Sequence, residues 1–341
     1  MAGPRRVAGP AGRPARRVTI NDVAAAAGVS RQTVTRAMND MQGISEQTKQ
    51  RVLAAAGRLS YRPSRFGRGL VKREQHTLGL VIHDLTNPYY PELASAVVGF
   101  AAKQGWNVVL ADTVHTSDRQ AFLAELGHQV DAVVGYLDLS PCELDAALAG
   151  LPVVEIDPGP ARPRRGAVLF EMAPAIAQAV SMLTAVGVHR PVMVDILHLG
   201  EPSGRAELVA SALAEHGVRL TVVGAEENTV AAGAGAVDEL FAGGRTFDAV
   251  FAFNDILALG ALQSCRGHRT EVPGTVRVVG IDGLSVGRYV TPRLTTLAVD
   301  MAEVARHAVD LVVGMHSGDL PWSGAKVRRR VRHQLVVRES A

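Results

Sequence analysis

Apolar positions in the N-terminal part of the chain recur at helical spacing. Ile20, Val23, Ala24 and Ala27 fall at i, i+3, i+4 and i+7, one face of a period of about 3.6 residues. Thr19 stands where a cap is needed, with Asp22 three residues on in an imperfect capping box. Gly28 ends this first helix, because the left-handed residue after a helix is least costly as glycine. Ser30 caps a second helix whose inner face is Val34, Ala37 and Met38. Ser45 caps a third, with Val52, Leu53, Ala56 and Leu59 expected to turn inward, and Tyr61 and Pro63 end it.

From Thr77 the pattern changes to apolar runs alternating with amphipathic stretches. Residues 78–82, 106–110, 131–135 and 152–156 read as buried strands, with helices between them at about 90–104, 117–128 and 141–149. A second series has strands at 191–195, 219–223, 248–252 and 276–281 and helices at about 173–186, 204–216, 230–242 and 256–266. Strands separated by helical patterns imply parallel sheets with helical crossovers. Two such series of similar length predict two doubly wound α/β lobes with a cleft between them, behind a small all-α head.

Composition changes this picture in one respect. At 341 residues and 47% hydrophobic, the chain is large enough for a head and a sizeable core, and no apolar run reaches the ~18 residues of a membrane span. Net charge is only +3, but Asp22, Asp40 and Glu46 are the only acidic residues in the Arg-rich first 73 positions. A basic end on a near-neutral body points to a polyanionic partner for that end. Cys142 and Cys265 are far apart and without histidine spacing, so neither a disulfide framework nor a zinc site is expected, and a reducing cytoplasm is the default. Residues 1–17 lack the apolar segment of a secretory signal and read as a disordered basic arm. The chain has no Gly-rich phosphate loop, nucleophile elbow or metal-ligand set, so neither an enzyme nor a cofactor is expected.

The second helix carries Arg31, Gln32, Thr35 and Arg36 on its outer face. Two helices joined at a glycine turn, the second loaded with Arg and Gln, follow the helix-turn-helix plan for the DNA major groove. A helical hairpin inside an enzyme would share the apolar spacing alone. The ordered run from Thr19-Ile20 through Asp22-Val23-Ala24, Gly28-Val29-Ser30, Thr33-Val34, Arg36 and Asn39 to Ile44-Ser45, Arg51-Val52, Tyr61 and Pro63 resembles the DNA-binding head of the lactose/galactose-repressor (LacI/GalR) family. The body resembles the same family and its periplasmic-binding-protein-like fold, through Asn87-Pro88-Tyr89-Tyr90, residues 253–261, Gly280-Ile281-Asp282, residues 292–296 and residues 333–340.

The resemblance implies a sequence-specific transcriptional regulator, most often a repressor, controlled by a small polar effector such as a sugar, polyol or nucleoside. It implies that Arg31, Gln32 and Arg36 read base edges of a palindromic double-stranded operator, and that Thr19, Ser30, Thr33, Thr35 and Asn39 contact phosphates. Residues 64–76 would be a hinge helix whose Leu70 wedges into the minor groove, at a cost of a few kcal/mol in unstacking. Gly67 and Gly69 inside it each cost up to ~1 kcal/mol relative to alanine, so the hinge should order only on DNA. Tyr89, Asp157, Arg205, Asn254 and Asp282 match positions that line the effector cleft. By the family layout the first lobe takes about 77–160 and 292–320, and the second about 161–291 and 321–341. No leucine-heptad tail follows residue 340, so a homodimer is expected.

Several residues depart from the family pattern. Phe170 and Glu171 replace an Asp-Asn pair, Pro174 replaces a small residue, no aromatic stands near Asn228, and the segment 187–191 lacks the usual histidine after its glycine. These departures leave two alternatives open, a DNA-binding regulator with a degenerate body that senses no ligand, and a solute-binding module.

Overall fold

The computed structural model describes residues 18–38, 41, 43–59, 61, 76–159 and 165–341. The head is three helices, α1 (Ile20–Ala27), α2 (Arg31–Met38) and α3 (Glu46–Arg58). Their shared core is Val23, Ala24, Ala27, Val34, Ala37, Val52, Ala55 and Ala56. Leu53, expected inside, is 38% exposed. The buried face of α3 runs 52, 55, 56 and then the partly buried Leu59, which is the helical spacing, and position 53 lies outside it. Local chemistry sets the helix ends. The Asp22 carboxylate accepts from both the Thr19 N–H and its hydroxyl at 2.7 Å. Gly28 takes φ +63°, which lets the Val29 N–H reach back to the Ala24 carbonyl at 3.0 Å. Ser45 caps α3 by accepting from the Thr48 N–H.

The body holds two six-stranded sheets. In the first series β1 (His76–Ile82), α4 (Tyr89–Lys103), β2 (Trp106–Asp112), α5 (Arg119–Gly127), β3 (Ala132–Gly135), α6 (Pro141–Ala147), β4 (Val153–Ile156) and β5 (Gly166–Glu171) follow one another. The second is α7 (Ala173–Ala185), β6 (Pro191–Asp195), α8 (Gly204–Ala214), β7 (Thr221–Gly224), α9 (Val230–Ala242), β8 (Ala249–Ala252), α10 (Asp255–Gly267), β9 (Arg277–Asp282) and β10 (Thr295–Ala298). The chain then forms α11 (Met301–Ser317), β11 (Arg328–Arg332) and β12 (Gln334–Val336). The sheet orders are β11-β5-β4-β3-β1-β2 and β12-β10-β9-β8-β6-β7.

By sheet membership the chain passes to the second sheet after Glu171, returns after Ala298, and leaves again at His333. These passages lie later than the crossings expected near 160, 290 and 322. By compactness it divides into one unit of the described residues to Ile82 with Val98–Ala167 and Ala308–Arg328, and another of His83–Val97, Val168–His307 and Arg329–Ala341.

In the second sheet successive strand residues supply opposite faces. Val192, Val194, Val250, Ala252 and Val278 join α9 and α10 in one core, while Met193, Ala249, Phe251, Val279 and Ile281 join α7 and α8 in the other. Both faces are covered, which is why these strands read as unbroken apolar runs. Two expected buried strands are instead edges. β2 and β7 end their sheets, and most of their residues are only partly buried or exposed.

Candidate functional site: a helix-turn-helix face and a polar cluster at strand ends

On α2, Val34 and Ala37 are buried, and Arg31, Gln32, Thr35 and Arg36 are exposed. The Ser30 hydroxyl accepts from the Thr33 N–H at 3.1 Å and lies 2.9 Å from the Thr33 hydroxyl, so it caps the helix as the sequence suggested. The Thr35 hydroxyl donates to the Arg31 carbonyl at 3.1 Å, which fixes its rotamer on the exposed face. The exposed face of a short helix with its apolar side locked into α1 and α3 therefore presents two guanidinium groups and an amide. Asn39 and Leu70 lie outside the described residues.

The strand order around β6 and β8 defines the second location. β7 lies on one side of β6 and β8 on the other, so the direction of winding reverses between β6 and β8. In doubly wound sheets ligands sit beyond the carboxyl ends of the strands at that switch point. Arg205, in the first turn of the helix after β6, and Asn254, two residues after β8, stand at these ends, with Asp282 closing β9.

Arg205 is held by three features of the fold. The Asp195 carboxylate, fully buried at the end of β6, accepts from the Ser203 N–H and hydroxyl at 2.7 Å each. Ser203 in turn caps α8 by accepting from the Ala206 N–H. The Arg205 guanidinium lies 4.5 Å over the Phe253 ring, a stacked arrangement favourable for a cation, and donates to the Phe253 carbonyl at 2.6 Å. It reaches the Asp282 carboxylate at 3.4 Å. Asn254 caps α10 by accepting from the Leu257 N–H, while its amide NH2 donates to the Asn228 side chain at 2.7 Å. Asp282 has φ +116° and is followed by Gly283 at +82°, a turn that a non-glycine residue enters only under strain.

Two members of this cluster, Asp195 and Phe253, are not marked by any local sequence pattern as parts of a site. Asp195 is a positioning residue, and its only signal was a carboxylate at the end of a buried apolar strand. Phe253, quoted only within the resemblance, supplies the platform under Arg205. Asn254, rather than the adjacent Asp255, caps α10, because its Oδ1 faces the Leu257 N–H. Asp255 instead lies inside, accepting from the Thr296 hydroxyl and the Leu284 N–H at 2.6 Å each.

Burial, and then the nearby Asp282 carboxylate, push Asp255 up to about 8 against the pull of these donors. Its folded pKa lies above its unfolded value, so the native state holds the extra proton between them. Stability should therefore fall as pH rises from the ordinary carboxylate range through about 8. Urea unfolding across this range should give a falling free energy for the wild type. Asp255→Asn should remove most of the slope; an equal slope in both would contradict the assignment.

The remaining expected cleft residues, Tyr89 and Asp157, stand at other elements. Tyr89 opens α4, 6% exposed, with its N–H on the Asn87 side chain and its ring edge-on to Tyr90 at 5.2 Å. Asp157 follows β4 at φ +46°, in the other compact unit. Of the flagged departures, Glu171 is engaged by the chain itself. Its carboxylate accepts from Arg330 and Arg332 at 2.9 Å each, which holds it well below the usual carboxylate range. Among the described residues no group of three or more His, Cys, Asp or Glu is placed to hold a metal ion, and no helix is long and apolar enough to cross a membrane.

A three-helix head with an exposed Arg- and Gln-bearing second helix, joined in one chain to two doubly wound α/β sheets, defines a DNA-binding regulator with a solute-binding type of body. The pattern of bacterial regulatory proteins of the lacI family matches residues 19–64, and that of a periplasmic binding protein-like domain matches residues 180–341. The HTH-type transcriptional regulator GalR of Salmonella typhimurium is 32% identical over 312 residues, covering 87% of this chain and 89% of that protein. Catabolite control protein A of Priestia megaterium is 29% identical over 305 residues, covering 86% and 91%. The chain belongs to the lacI family of bacterial regulatory proteins.

Among solved structures, a LacI family regulator from an Arthrobacter species in complex with lactose superposes with a TM-score of 0.73 at 33% identity, over 78% of this chain and 99% of that one. The lac repressor dimer bound to operator and the anti-inducer ONPF superposes at 0.70 with 22% identity, over 95% and 99%, a likeness of fold alone.

Proposed function

We propose that this chain is a cytoplasmic, homodimeric repressor whose affinity for a palindromic operator is set by a small polyhydroxylated effector. Arg31, Gln32 and Arg36 read base edges, Thr19, Ser30, Thr33, Thr35 and Asn39 contact phosphates, and Leu70 is the minor-groove wedge. Arg205, Asn254 and Asp282 hold the effector's hydroxyls, with Tyr89 and Asp157 as further contacts. The observation that carries the effector reading is Arg205, laid on Phe253 and bonded to Asp282 beside the switch point. A guanidinium with a carboxylate and an amide nearby suits vicinal hydroxyls. The lactose complex of the Arthrobacter relative supports this ligand class.

Glu171 and Asn254 favour one competing reading, a body that senses nothing. Their side chains already bond to Arg330, Arg332 and Asn228 within the chain. A thermal-unfolding screen of sugars, polyols and nucleosides separates the two. A ligand at about 100 times its Kd adds ~2.7 kcal/mol of stability, whereas a ligand-free body leaves every midpoint unchanged.

Dimerisation is supported by β2. It ends its sheet, and the consecutive Val109 and Leu110 are 38% and 40% exposed, so apolar groups emerge on both faces of the edge strand. Val98 on α4 adds a third exposed apolar residue to the same unit, at 49%. Uncovered apolar edges are usual sites of association. Leu110→Asp should convert the dimer to monomer in sedimentation at micromolar concentration and lower operator affinity at least tenfold. A dimer that survives this change unaltered would place the interface elsewhere.

A further inference from the structure

His333 is a buried polar side chain of the second unit, set where the chain passes between the two sheets. β11 ends at Arg332 and β12 begins at Gln334, so His333 is the only residue between a strand of the first sheet and a strand of the second. It is 4% exposed, and neither ring nitrogen has a hydrogen-bond partner among the described residues. An unsatisfied buried donor or acceptor is destabilising, because it has given up its bonds to water without replacement. A phenylalanine or leucine would fill the same place without that penalty, so the imidazole calls for something that completes it.

The ring is fixed from several directions. The backbone N–H of His333 donates to the Glu171 carbonyl at 3.0 Å, and the Phe170 ring meets the imidazole edge-on at 5.4 Å and 75°. The Glu171 carboxylate holds Arg330 and Arg332 on the approach to His333. The adjoining Leu335 and Met172 pack into the same core cluster as Phe253, the ring beneath Arg205. Burial first, and then the positive charge of Arg205, hold the imidazole down at about 4. At neutral pH it is therefore uncharged, with one N–H donor and one bare acceptor nitrogen. A hydroxyl, which can donate or accept, suits either nitrogen, whereas a carboxylate would satisfy only the N–H.

We propose that His333 is a direct polar contact for a hydroxyl of the effector, forming one binding surface with Arg205. The proposal rests on the reading of Arg205, Asn254 and Asp282 as ligand contacts. It adds a contact from the C-terminal strand connection, made by the residue through which the chain passes from one sheet to the other.

The test uses the full chain labelled with 15N-histidine and three probes, lactose, cellobiose and ribose. Binding is measured by calorimetry for the wild type, His333→Phe and His333→Gln, and the His333 ring nitrogens are followed by NMR. For a probe that binds, both ring-nitrogen resonances of the wild type should move on saturation. His333→Phe should weaken binding about tenfold or more, His333→Gln should recover part of the loss, and operator affinity without sugar should stay unchanged.

If a probe binds both proteins equally and the resonances stay still, His333 holds only an ordered water. The proposal then falls while the ligand reading of Arg205 stands. If the wild type takes none of the three probes, the ligand reading falls and this proposal with it. Should His333→Phe fail to fold, the wild-type resonances decide.

Discussion

Arg205→Ala should weaken the response to effector while leaving operator binding in its absence intact. The side chain is attached to the Phe253 carbonyl, the Phe253 ring and Asp282, all in the second compact unit, and α2 draws on none of these. A hydrogen bond from a charged group contributes ~1.5–3 kcal/mol, so effector affinity should fall on the order of tenfold to more than a hundredfold in calorimetry. Arg205→Lys should recover little, because a lysine ammonium keeps the charge but neither the flat surface over Phe253 nor the forked donor geometry. Circular dichroism and operator binding serve as controls. Unchanged effector affinity in a folded Arg205→Ala protein would mean that the guanidinium only braces Asp282.

Removing Arg31 should separate sequence reading from general affinity for DNA. A bidentate contact to a base edge is worth ~1–3 kcal/mol of discrimination, whereas phosphate contacts set register and give the salt dependence. In Arg31→Ala, measured by fluorescence anisotropy at one fixed salt concentration, operator affinity should drop about tenfold to a hundredfold and affinity for unrelated DNA should barely change. Gln32→Ala should behave alike at a different base position. An equal loss on both DNAs, with the salt slope lowered by about one, would place Arg31 on a phosphate instead.

The head was legible because its signals are local. Thr19 with Asp22, Gly28, Ser30 and Ser45 each act within four residues, and each does so in the structure. The eight strands read from apolar runs are present, and their helices lie within a few residues of expectation. What stayed hidden depends on partners far apart in sequence. That β2 and β7 are edges follows from strand order, which a run of apolar residues does not encode. β5 ends in Phe170 and Glu171, and its polar end makes sense only beside Arg330 and Arg332. α11 does carry a local signal, since Val304, Ala305, Ala308, Leu311, Val312 and Met315 follow helical spacing and are buried. At the site, Arg205 and Asp282 came from family resemblance. Their bond spans 77 positions, and no local pattern announces it.

An effector that controls operator binding must be linked to it thermodynamically. An effector that changes operator affinity by some factor must have its own affinity changed by operator through the same factor. The most direct test takes the sugar that raises the unfolding midpoint most and the operator duplex selected from bound genomic fragments. Operator affinity is measured with and without saturating sugar, and sugar affinity with and without saturating operator. The account predicts two equal factors, each about fivefold or more, as expected for a coupling free energy of ~1–3 kcal/mol. Two tight but independent affinities, each unaffected by the other ligand, would contradict it.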